Sequence, residues 1–145
     1  MAISFTNNWK NILDKLTNIF RDEYGNTLPV FVGNQDNTPG NQYIRLDPVG
    51  SSLIGYALNS QNREFDIIIS YVFTSPNVKK TALEHILRFT ERTKALIQTN
   101  MIMTLSDSTK AINCRLDSED LNTGGSENTY VVTWAWKCEH QSNFS

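Results

Sequence analysis

The run from Arg63 to Thr99, REFDIIISYVFTSPNVKKTALEHILRFTERTKALIQT, constrains the fold more than any other stretch of the chain. Phe65, Ile67, Ile69, Tyr71 and Phe73 alternate with Asp66, Ile68, Ser70 and Val72. One face of an extended strand is therefore large and apolar throughout, and the other is mixed. Such a strand lies inside a sheet, one face on a core and the other half covered. Ser75 is a good N-cap, and Pro76 falls where a first helical turn tolerates a missing N–H. Ala82, Ile86, Phe89, Leu96 and Ile97 then recur at helical spacing, flanked by Leu83 and Leu87. Lys79, Lys80, Glu84, Arg88, Glu91, Arg92 and Lys94 lie mostly off that stripe, and the helix should stop near Asn100. A strand feeding directly into an amphipathic helix sends the helix back across the sheet to cover one face.

Upstream, Phe5, Trp9, Ile12, Leu13, Leu16, Ile19, Phe20 and Tyr24 repeat at 3.6 residues, with Asn8, Lys10, Asp14, Lys15 and Asp22 opposite. Thr6 reads as the N-cap of this first helix and Gly25 as its C′ residue. A short strand follows at Leu28–Val32, where Pro29 argues for an edge or a strand start. Gly33–Gln42 reads as a polar loop, Tyr43–Asp47 as a strand and Pro48–Ser52 as a turn. Leu53–Leu58 continues as strand or extended arm, and Asn59–Asn62 turns into the central strand. Downstream of the second helix, Met101–Leu105 reads as loop or short strand, Ala111–Leu116 as strand and Asp117–Asn128 as an acidic, Gly-containing loop. Tyr130–Glu139 is a strand, and Gln141–Ser145 a polar tail.

The last two strands should pair as a hairpin. If Cys114 faces Cys138, then Leu116 faces Trp136 and Ile112 faces His140. Trp134, Trp136, Cys138, Leu116 and Ile112 then share one apolar face. The expected fold is α+β: a mainly antiparallel sheet with two amphipathic helices on one face, in the order α-β-β-β-α-β-β. At 145 residues, 1–145 is most simply one domain with a real core. A net charge of −2 and a pI of about 5.6 give no general affinity for nucleic acid or acidic membranes. No apolar run approaches the roughly 20 residues that span a bilayer. The N-terminus does not read as a secretory signal, so the expected compartment is a cytosol.

This order of elements resembles the tail terminator, or tail completion, proteins of long-tailed bacteriophages. The resemblance covers nearly the whole chain. It rests on the first helix ending in FRDEYG, the polar strand pair, the EFDIIISYVF strand passing through SPN into a helix, and the final hairpin ending in YVVTWAWKCEH. It implies a virion structural protein, assembled in the host cytoplasm and sited at the tail–neck junction. Six copies would form a ring that caps the finished tail tube and presents the surface joining the head–neck connector. Its partners would be further copies of itself, the tail tube protein and the neck protein, with the sheath added in a contractile tail. DNA would pass through the lumen without specific binding, and no membrane is involved. Another head–tail connector is the nearest alternative, and a non-viral α+β binding module or small enzyme a more distant one.

No catalytic constellation, cofactor motif or metal site stands out, so the chain does not read as an enzyme. His85 and His140 lack a zinc-like spacing. Cys114 and Cys138 read as reduced thiols without a neighbouring base. Gly33–Gly40 lacks the lysine and the strand-to-helix context of a phosphate loop. Glu64 with Asp66 reads as solvated charge rather than a general acid–base pair. The acidic stretch offers one candidate: Asp117, Glu119, Asp120 and Glu127, clustered in one loop, would repel phosphate in a DNA-conducting lumen or dock on a neighbouring subunit.

Overall fold

The computed structural model describes residues 5–25, 28–33, 42–57, 60–74, 79–122 and 129–143. Helix α1 (Asn8–Tyr24) is followed by strands β1 (Val30–Val32), β2 (Gln42–Ala57) and β3 (Ser60–Thr74). Helix α2 (Lys79–Thr99) comes next, then β4 (Met103–Thr104), β5 (Lys110–Asn122) and β6 (Thr129–Asn143). The six strands form one sheet in the order β1-β2-β3-β6-β5-β4. β3 lies inside it, antiparallel to β2 on one side and to β6 on the other.

The period-two face of β3 packs as its sequence requires. Phe65, Ile67, Ile69 and Tyr71 are buried, joined by Ile44 and Leu46 of β2 and by Tyr130, Val132, Trp134, Trp136 and Cys138 of β6. Both helices cover this face. Trp9 of α1 meets Phe65 edge-on at 4.9 Å between ring centroids, and Phe89 of α2 stacks on Tyr71 at 3.8 Å. The helices also touch each other: the Tyr24 hydroxyl shares a hydrogen bond with Thr93, and Arg92 pairs with Glu23. Along α2, Ile86, Phe89 and Ile97 are buried, whereas Leu83 and Leu87 are more than a third exposed. Thr90 and Thr93 take the remaining inward positions. Thr90 can do so because its hydroxyl donates to the Ile86 carbonyl one turn back.

Several boundaries differ from the sequence reading. Asn7, not Thr6, caps α1, its side-chain oxygen accepting from the Lys10 N–H. Gly25 ends the helix as expected, with φ 68° and its N–H on the Arg21 carbonyl. The sheet is mainly antiparallel, as expected, but it is mixed, because β1 runs parallel to β2. The connection between them is too long for a tight hairpin, so sequence spacing left its direction open. β1 is an edge strand, as Pro29 implied, and the Pro29 carbonyl accepts from the Ile44 N–H.

The stretch that reads as turn, 48–52, is strand, with register shifts between Pro48 and Gly50 and between Leu53 and Gly55. Bulges accommodate the proline and glycines that otherwise signal a turn. Ser60–Asn62 and Gln141–Asn143 also pair, extending β3 and β6 past their expected ends. A two-residue β4 raises the strand count by one, and Asp117–Asn122 continues β5 instead of opening a loop. Pairing with apolar β6 carries that polar segment: Leu121 opposes Val132 and Asn122 opposes Val131. The expected cap at Ser75 and Pro76, most of the loop at 33–42 and Glu127 lie outside the described residues.

Candidate functional site

The β5–β6 register sets Leu116 opposite Trp136 as expected, but Ile112 opposes Glu139 instead of His140. A bulge between Ile112 and Arg115, with Asn113 at φ 52°, inserts one residue. Ala111 and Cys114 therefore both point into the core, and Ile112 is turned to solvent. Cys114 and Cys138 are buried free thiols packed together. The neighbouring Cys114 sulfur and burial hold the Cys138 thiol far above its ordinary range, so Cys138 offers no ready thiolate.

The acidic candidates separate. Asp117 faces the sheet side away from the helices, where Arg115 and Lys137 bracket it at 3.2 and 3.8 Å. Glu119 points to the helix side, accepts from the Trp134 indole N–H at 3.0 Å and pairs with Lys94 of α2 at 3.5 Å. Asp120 opposes Thr133, is exposed, and makes no ion pair with another described residue.

Sequence reasoning missed the network that holds Asp117. Arg115 reaches Glu64 at 3.0 Å, and Lys137 lies within 4 Å of Glu64, Asp66 and Asp117. Three carboxylates and two cations thus lie across β3, β6 and β5. Each is partly solvated, so the pairs fix strand register more than they add stability. The signal was present: Glu64, Asp66, Lys137 and Arg115 all occupy the strand positions opposite the apolar ones.

A second polar cluster joins β6 to the β4–β5 turn and to the start of α1. Asp107 Oδ1 accepts the Thr109 hydroxyl proton, which leaves His140 Nε2–H to donate to Thr109 Oγ1 at 2.9 Å. His140 Nδ1 then accepts from the Ser142 hydroxyl at 3.3 Å, and Ser142 accepts from Asn8 Nδ2 at 2.9 Å. The Thr109 hydrogen bond lowers the Asp107 pKa, and burial lowers that of His140 against the pull of Asp107. The wiring fits a neutral imidazole.

A cleft of about 400 Å³ opens on Thr109 and His140 but not on Ser142, the hydroxyl that donates to the imidazole. The cluster's evident work is to staple three elements together. Because the folded chain binds this proton less readily than the unfolded chain, stability should fall as pH drops below the ordinary histidine value of about 6.5. His140→Gln should flatten that part of a urea-midpoint profile, above the range where carboxylates titrate. An unchanged profile would place the loss elsewhere.

Among the described residues no group of three or more His, Cys, Asp or Glu side chains could hold a metal ion. Nor is any described helix long and apolar enough to cross a membrane. No family model matches the chain, and none of the curated proteins matches it. In fold it is similar to a chain from the virion of a native gene transfer agent particle, with a TM-score of 0.59 and 8% identity, over 92% of this chain and 93% of that one.

Proposed function

We propose that the chain is a structural protein of a phage-like virion, and specifically a ring-forming tail terminator. The observation that carries this reading is the fold likeness to a gene transfer agent virion chain, which spans nearly the full length of both proteins. The sequence resemblance points the same way. On this reading the role is architectural and needs neither cofactor nor metal. Six copies close a ring on the end of the tail tube, and the ring's far side meets the neck. The ring is set at the tail–neck junction after assembly in the host cytoplasm.

Of the acidic candidates, Asp120 would line the lumen and repel DNA phosphate, or would face a neighbouring subunit. Pairing of Asp117 and Glu119 with cations leaves Asp120 as the described carboxylate best placed to act at a distance. Particles assembled without this chain should yield filled heads and separate tails that do not join. Antibody labelling of intact particles should mark the tail-tube end. Label confined to the head side of the neck would favour the alternative, a connector at another level.

A further inference from the structure

The chain has two cysteines, and the fold brings both to one point of the sheet. In the β5–β6 ladder Ile112 opposes Glu139 and Arg115 opposes Lys137. Two residues of β5, Asn113 and Cys114, therefore lie opposite the single residue Cys138. Asn113 takes the solvent side, where its amide donates to Glu139 at 2.7 Å. Cys114 takes the core side, 1% exposed against the fully buried Cys138, and the two thiols share a hydrogen bond. Facing residues of antiparallel strands have Cα atoms about 4.5–5.5 Å apart, within the roughly 4.4–6.8 Å that a disulfide spans. The Cys114 backbone N–H donates to the Met101 carbonyl at 2.9 Å rather than across to β6. A second register shift follows between Leu116 and Ser118. The peptide ladder to β6 is thus interrupted where the two sulfurs meet.

We infer that Cys114 and Cys138 form a redox latch, reduced in the cell that makes the chain and joined as a disulfide when a peroxide reaches the folded protein. In a reducing cytosol the pair stays as thiols. Oxidation takes two steps. One sulfur attacks a peroxide oxygen, the O–O bond breaks, and the departing hydroxide takes the thiol proton to give water and a sulfenic acid. The other sulfur attacks the first, the S–O bond breaks, and hydroxide leaves with the second proton as water. Two electrons pass from the sulfurs to one hydrogen peroxide, giving one disulfide and two waters. Both sulfurs lie in the core, so the oxidant enters through local opening of the bulged strand and the reaction is slow. The bond then spans β5 and β6 where their ladder is broken, and it constrains the unfolded chain over residues 114–138. The sequence holds no third cysteine to divert it. The latch stands apart from the ring reading; on that reading it hardens the particle after release from its host.

The test uses the purified full chain, reduced, freed of reductant and exposed to hydrogen peroxide under native conditions at neutral pH. After alkylation in denaturant and proteolysis, mass spectrometry should find the Cys114 and Cys138 peptides joined and neither thiol alkylated. The thermal midpoint should rise by about 5–10 °C and return on adding dithiothreitol. Cys114→Ala and Cys138→Ala, treated in parallel, should show no rise, which separates the latch from oxidation of methionine.

Two thiols still open to alkylation overturn the latch, as do oxygen atoms added to either cysteine with no bond between them. A cross-link between two chains overturns it as well. So does an internal bond that leaves the midpoint unchanged or lowers it, or an equal rise in the alanine variants. Failure of reduced and oxidised chain alike to form rings on tail tubes strikes the ring reading and leaves the latch in place.

Discussion

Trp136→Ala is expected to destabilise the fold by about 3–5 kcal/mol, a large part of the stability of a typical small domain. The side chain is fully buried opposite Ile67 and Leu116 in the middle of the sheet, where neighbouring strands leave little room for collapse into the cavity. The polar part of the indole contributes nothing comparable, since its N–H has no hydrogen-bond partner among the described residues. Trp136→Phe should therefore cost less than Trp134→Phe, which also removes the donor to Glu119, by about 1 kcal/mol. Urea unfolding of the three variants checks both statements. A Trp136→Ala loss under about 1 kcal/mol would mean that the sheet's core does not sit where these strands put it.

Phe89→Ala should cost a similar amount, for a different reason. Its ring is sandwiched between Tyr71 of β3, at 3.8 Å, and Tyr24 of α1, at 4.8 Å. Three aromatic rings from three elements thus form one stack that ties both helices to the sheet. Truncation loses the buried area, about 3–5 kcal/mol for Phe→Ala, together with two ring contacts of about 0.5–1.5 kcal/mol each. These terms overlap and do not simply add. Phe89→Leu keeps most of the volume and should recover much of the loss, leaving the ring contacts as the residue. Hydrogen exchange should accelerate in α2 more than in β3 and β6 if the stack anchors that helix. Uniform acceleration would make Phe89 an ordinary core residue.

Much of this fold was legible in the sequence because its signals are periodic. The alternation from Phe65 to Phe73 identified the inner strand and its core face. The 3.6-residue stripes of α1 and α2 placed both helices on that face. Bulges were not legible. The extra residue near Asn113 flips the start of β5, exposing Ile112 and burying Ala111 while Cys114 stays on the core side as expected, and composition gives no warning of it. The turn expected at Pro48–Ser52 failed for the same reason, since bulges let strand pairing override proline and glycine.

The acidic stretch misled because charge density reads as loop. Pairing with Val131 and Val132 of β6 supplied what Asp117–Asn122 lacked. In the candidate site, Asp117, Glu119 and Asp120 were visible as a cluster. Their division between the two faces of β5 was not, because it depends on which residue is bulged.

If this chain closes a ring on the end of a tail tube, as proposed, negative-stain electron microscopy of purified protein with isolated tail tubes should show it. Six-fold rings with an open pore, or added density capping one end of each tube, are the expected result. Tubes whose two ends stay bare at saturating protein, with no rings in the background, would contradict the account.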